Sequence, residues 1–121
     1  EIVGVRVSNG SEEELTAIIT ENVLGAADRI CGFSPTKADI ADRIQFVDYV
    51  GPGYAEPSDA DLDMLREAGR TEGIVLDTCY TVKGFRAAVE QTNQDESALF
   101  IHTGGSYGLF PHRDKLTNLL S

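Results

Sequence analysis

Short apolar runs alternate with helix-start signals along the whole chain, and that alternation restricts the fold more than any other feature. Ile2 to Val7 is β-branched and closes at the turn residues Ser8-Asn9-Gly10. Ser11 then stands before Glu12, Glu13 and Glu14, an N-cap followed by acids where the helix macrodipole favours them. Leu15, Ile18, Ile19, Val23, Ala26 and Ile30 follow at helical spacing and predict one apolar stripe. Gly32 and Ser34-Pro35 end that helix, and a short one is predicted from Ser34-Pro35 to about Arg43. Ile44 to Val50 reads as a strand broken by Gly51-Pro52-Gly53, a loop that carries Tyr54. Ser58 caps the next helix, with Leu62, Leu65 and Ala68 inward.

Ile74-Val75-Leu76 is the third apolar run and leads into Asp77-Thr78-Cys79-Tyr80-Thr81. A helix is predicted from near Val82, with Phe85, Ala88 and Val89 on its apolar side, and a polar connection from Gln91 to Ser97. Ala98-Leu99-Phe100-Ile101 reads as the clearest buried strand, ending at His102-Thr103-Gly104-Gly105, and a last helical stretch from about His112 to Leu120. Strands alternating with helices predict an α/β fold, three-layer, with a largely parallel sheet. At 121 residues the chain has the length of a single domain.

Charge narrows the partners. Twenty Asp and Glu against ten Lys and Arg give a net charge of −10, and no basic patch exists to neutralise phosphates or anionic lipid, so nucleic acid and membrane are excluded as expected partners. Scarce Lys with abundant acid also suits a protein kept soluble in high salt. No apolar run approaches the ~20 residues of a membrane span, the chain opens with no signal-peptide pattern, and a cytoplasmic location is expected. Cys31 and Cys79 lack metal-ligand spacing; no metal is predicted, and both are expected as reduced, partly buried thiols.

In sheets of this kind ligands gather at the carboxyl ends of strands. Three loops answer to that rule: Gly51 to Tyr54, Asp77 to Thr81, and His102 to Gly105. Each has an ordinary reading. Tyr54 can cover a sheet edge, Thr81 can cap a helix, and His102 can end a strand. Cys79 and His102 invite comparison with a Cys–His nucleophilic pair, but their spacing gives it no support.

Together the loops carry a resemblance. Tyr49-Val50-Gly51-Pro52-Gly53-Tyr54-Ala55-Glu56-Pro57, Ala68-Gly69-Arg70-Thr71-Glu72-Gly73-Ile74, Leu76 to Gly84, and Leu99 to Gly105 with Gly108-Leu109-Phe110 appear in this order. In order and spacing they resemble the C-terminal part of the D-cysteine desulfhydrase and 1-aminocyclopropane-1-carboxylate deaminase family, pyridoxal-phosphate enzymes of the tryptophan-synthase β-like fold. The resemblance is dense over residues 49–110 and loose over 1–48.

The resemblance implies roles. Tyr54 and Tyr80 match the family's two active-site tyrosines and become the catalytic candidates. Thr103 matches the hydroxyl facing the pyridine nitrogen, with Gly104 beside it in the cofactor-binding set. Thr81 matches the position that separates subgroups, where deaminases carry Glu and desulfhydrase-like members a small hydroxyl. The implied reaction is D-cysteine to pyruvate, sulfide and ammonia, with aminocyclopropane-carboxylate deamination as the alternative and a non-catalytic α/β association module as a third reading. Thr78-Cys79 departs from the family's usual Pro and small apolar residue. None of Lys37, Lys83 or Lys115 stands in the motif of the Schiff-base lysine, and the glycine-rich phosphate loop has no match. Residues 1–121 are therefore expected to be one domain or fragment, inactive alone. It would depend on the enzyme's missing N-terminal part or a partner chain, and work on a small amino acid, in a homo-oligomer.

Overall fold

The computed structural model describes residues 1–30 and 32–118. In chain order it contains β1 (Ile2–Arg6), α1 (Glu12–Ala27), α2 (Lys37–Ala41), β2 (Ile44–Asp48), α3 (Asp59–Thr71) and α4 (Thr81–Gln91). A 3-10 segment (Ser106–His112) and α5 (Arg113–Asn118) close the described chain. The predictions for Cys31 and for Leu119 and Leu120 fall outside the described residues.

The α/β class holds. β1 and β2 pair in parallel, with Ile2 opposite Ile44 and Arg6 opposite Asp48. A parallel pair needs a crossover, and α1 and α2 supply it. Register is pinned at the open end by a fork: Arg6 Nε and Nη2 donate to the two carboxylate oxygens of Asp48 at 3.1 and 2.7 Å.

Three helices begin the same way. Ser11, Thr36 and Ser58 each accept from the backbone amide three residues on, while Glu14, Asp39 and Asp61 reach back to the cap amide. These reciprocal bonds satisfy two otherwise orphaned donors at each start. They also correct one boundary, because Thr36 and not Ser34-Pro35 opens α2.

The predicted stripe of α1 is only partly inward. Ile18 is exposed, Ile30 lies beyond the helix end at Ala27, and Thr20 and Ala27 are the buried residues. The small core sits instead between α3 and α4, where Ala68, Leu76 and Val82 are fully enclosed by Met64, Leu65, Ile74, Phe85 and Phe100. Burying Leu76 and Val82 contributes about 1.5–3 kcal/mol each. On α4, Val89 faces solvent and Lys83, predicted as an ordinary helix residue, is fully buried.

Two predicted strands are not strands. Among the described residues only β1 and β2 form a ladder, and both Ile74–Leu76 and 98–101 run without partners. The 98–101 segment does alternate: Phe100 turns in, its ring edge to face with Phe85 at 5.4 Å and against the notch at Gly84. Leu99 and Ile101 turn out, 89% and 73% exposed. An apolar run enclosed on both faces was expected; here only one face has anything to pack on.

Replacing Ser58 with Ala removes a cap and one of the hydroxyl bonds to the buried Asp61 carboxylate. We expect the full gene product to lose about 1–2 kcal/mol of stability, read as a lower urea midpoint at unchanged slope.

Candidate functional site

The loop after β2 turns sharply. Gly51 adopts φ +66° and Ala55 φ +60°, and a short antiparallel bridge joins Gly53 to Glu56. Left-handed geometry at a residue with a Cβ costs about 1 kcal/mol or more and persists only where the surroundings impose it. The turn projects Tyr54 outward, and its ring meets Tyr80 edge to face with centroids 6.0 Å apart. The two phenol oxygens are hydrogen-bonded to each other across 26 residues of sequence. Thus the structure joins the two tyrosines singled out from the sequence.

Asp77 builds the other half of the site. Its buried carboxylate accepts from the amides of Cys79, Tyr80 and Thr81 at 2.7–2.8 Å and from the Thr81 hydroxyl. The Thr81 oxygen in turn accepts from the Asp77 amide at 2.7 Å. Residue 80 makes no side-chain cap; Asp77 performs that function for α4 from four residues before Thr81. Burial pushes the Asp77 carboxyl up, but the Thr81 hydroxyl and the three amides outweigh it and hold it below the usual range. Thr81, expected as a cofactor-side residue, is buried with its hydroxyl spent on Asp77.

The last loop lies over Asp77. His102 Nδ1 accepts from the Gly104 amide at 3.0 Å, which leaves the Nε2 proton to bond Val75 O at 2.9 Å. Gly105, at φ +90°, passes so close that a Cβ there would stand 2.9 Å from Asp77 Oδ2. Thr78 Oγ1 donates to Gly108 O at 3.0 Å. Thr103 is exposed, and Gly104, at φ +95°, has open space where a Cβ would be. The Asp77 carboxylate thereby anchors the loop of Tyr80, while the loop of Thr103 passes over it and is held by the Thr78 and His102 side chains. Cys79 carries a half-buried free thiol, and no bond joins it to His102.

Tyr80 ionises well above the ordinary phenol value, chiefly because of its hydrogen bond to Tyr54, then burial, with the Cys79 thiol alongside. At neutral pH it holds its proton and can only donate one.

Sequence reasoning passed over Asp77, Asp61, Lys83 and Arg86. Arg86 pairs with Asp61 Oδ1 at 2.5 Å and Glu90 at 3.0 Å and lies 4.7 Å over the Tyr49 ring, whose hydroxyl donates to Glu90. An Asp four residues before a helix-opening Thr was a legible signal for Asp77. Nothing in the sequence marked Lys83 as buried.

No family model matches the chain. It is 36% identical over 116 residues to a protein of Thermotoga maritima provisionally named 1-aminocyclopropane-1-carboxylate deaminase, which covers 95% of the chain but 36% of the relative. It is 32% identical to D-cysteine desulfhydrases of Salmonella paratyphi B and Salmonella typhi, over 93% of the chain and 34% of each. A crystal structure described as an ACC deaminase homologue superimposes with a TM-score of 0.68 at 29% identity, over 97% of the chain and 35% of that structure. The fold is therefore that of a section of the tryptophan-synthase β-like enzyme architecture. The chain is similar, across nearly its whole length, to the C-terminal part of proteins named D-cysteine desulfhydrase and 1-aminocyclopropane-1-carboxylate deaminase. It spans about a third of the length of the curated relatives it matches.

A pyridoxal phosphate would meet only part of a donor set here: the exposed Thr103 hydroxyl and the open backbone at Gly104. The start of α4 cannot take the phosphate, because the Asp77 carboxylate already fills it. Lys83 is enclosed and committed to backbone carbonyls. The start of α4 thus does not fit the phosphate of such a cofactor, and Lys83 does not fit its lysine.

Acid should separate wild type from Asp77→Asn. Because the folded carboxyl titrates below its ordinary 3.8, its contribution is complete above that value and lost as pH falls through the lower folded value. The variant should be destabilised most at neutral pH, and the gap should close below about pH 3.8 in urea titrations run pH by pH.

Proposed function

We propose that this chain is the ring-facing part of a pyridoxal-phosphate lyase acting on a small amino acid, with D-cysteine as substrate. The observation that supports this reading is the Tyr54–Tyr80 phenol pair, built from two loops distant in sequence. Pyridoxal phosphate, when bound, supplies the electron sink that lets an amino acid lose its Cα proton and expel a Cβ substituent. The chain's own residues do the rest. Thr103 offers the pyridine nitrogen a neutral hydroxyl, which leaves the ring less electron-poor than a carboxylate would. Gly104 lets the backbone come close. Tyr80 Oη, kept protonated by Tyr54, would donate a hydrogen bond to the sulfur as it departs, and the products would be pyruvate, sulfide and ammonia after hydrolysis.

The Schiff-base lysine and phosphate loop come, on this reading, from the part of the enzyme corresponding to the relatives' other two thirds, or from a partner chain. Residues 1–121 form one unit of that assembly, which works as a homo-oligomer in the cytoplasm. None of the described helices is long and apolar enough to cross a membrane. A second reading, aminocyclopropane-carboxylate deamination, is favoured by the higher identity to the Thermotoga maritima protein. Thr81, where deaminases of the family carry Glu, speaks for the desulfhydrase.

The full gene product, supplied with pyridoxal phosphate, should release sulfide and pyruvate from D-cysteine. Ammonia released from 1-aminocyclopropane-1-carboxylate, with D-cysteine inert, would decide for the second reading. Tyr80→Phe should lower turnover by about 10²–10⁴-fold while cofactor affinity changes little, since the ring still packs and only the phenol proton is gone.

A further inference from the structure

We propose that Lys83 is a positioning residue that locks the Tyr54 turn against Tyr80, and that its buried ammonium, through that lock, sets the geometry of the phenol pair. This rests on the reading of Tyr54 and Tyr80 as site residues.

Lys83 lies on α4, three residues after Tyr80, and no part of it reaches solvent. An ammonium is rarely buried without a reason, because leaving water is costly unless its donors are used. Here they are used on one object. Nζ donates to Val50 O at 2.6 Å and to Gly53 O at 3.3 Å, the residues that bracket Gly51-Pro52 and lead into Tyr54. Gly53 O also accepts from the Glu56 amide at 3.2 Å, so the lysine and the turn's own closing bond share an acceptor.

A countercharge stands close by. Nζ and Asp61 Oδ2 both lie within 4 Å of the point where a Cβ on Gly51 would sit. Asp61 is itself buried and fixed by Ser58 and Arg86. The lysine therefore ties the Tyr54 turn to the helix of Tyr80 and, through the Asp61 field, to α3. The turn needs such a tie, because Ala55 directly after Tyr54 is held in the left-handed region. Tyr54 is largely exposed, and apart from Tyr80 no side-chain hydrogen bond of its own fixes it. Its position comes from the backbone beneath it, and Lys83 grips that backbone.

The test has three readouts on the full gene product. First, in the native wild type, acetylation by an amine-reactive ester should spare Lys83 while modifying the exposed Lys37 and Lys115. Modification of Lys83 at their rate would overturn the proposal without any variant having to fold. Second, Lys83→Met keeps the chain length and removes the donors. Near-ultraviolet phenolate absorbance should then show one additional tyrosine titrating near the ordinary value of 10, as Tyr80, freed from Tyr54, loses its elevation; Cys79 is the other group facing it. An unchanged titration would overturn the proposal whether or not the protein is a lyase. Third, where the lyase activity is present, Lys83→Met should lower kcat by about a hundredfold with little change in KM. In a Tyr54→Phe background the same change should cost about twofold or less. Equal costs in both backgrounds would mean that Lys83 supports the fold without acting through Tyr54. Should Lys83→Met not fold, Lys83→Leu, which also lacks the donors, takes its place in the second and third readouts.

Discussion

One carboxylate organises the site. Asp77 has no solvent contact, yet it remains ionised because the first amides of α4 and the Thr81 hydroxyl turn toward it. Those amides would otherwise be orphaned at the helix start, so the same bonds that stabilise the anion also finish the helix. The direction of α4 fixes where Tyr80 stands, and Gly105 passes closely over the same carboxylate. Remove that charge and the start of α4 loses the group that finishes it.

Helix N-termini are ready phosphate sites. α4 has closed that option by filling its N-terminus with its own side chain. The exposed groups of the neighbouring loops are neutral: two phenols, one hydroxyl and a stretch of glycine backbone.

Legibility followed locality. The starts of α1 and α3 were readable because the cap and its reciprocal acid lie within four residues, at Ser11 and Ser58. Tyr54, Tyr80, Thr103 and Gly104 could be selected because their motifs are contiguous, and the family likeness extended them. Lys83 and Asp61 could not, since their burial depends on chain segments brought from about 30 residues away. The 98–101 segment was misread for a related reason. Its composition fits a strand with both faces enclosed, and strand pairing is a property of neighbours that the segment itself does not encode. Ile18 on α1 shows the same limit: helical spacing marks a stripe, but what lies opposite decides whether it is covered.

The three capping boxes also bear on the order in which the chain acquires structure. Each encodes the start of a helix in a handful of adjacent residues, so α1, α2 and α3 can nucleate without tertiary support, although short isolated helices stay marginal. The β1–β2 ladder is the opposite case, since Arg6 and Asp48 are 42 residues apart and must close a long loop before any bond rewards it. Local contacts define the helix starts, whereas the Arg6–Asp48 fork bridges 42 residues of sequence, so conditions that weaken ion pairs should loosen the ladder's end more than the helix caps.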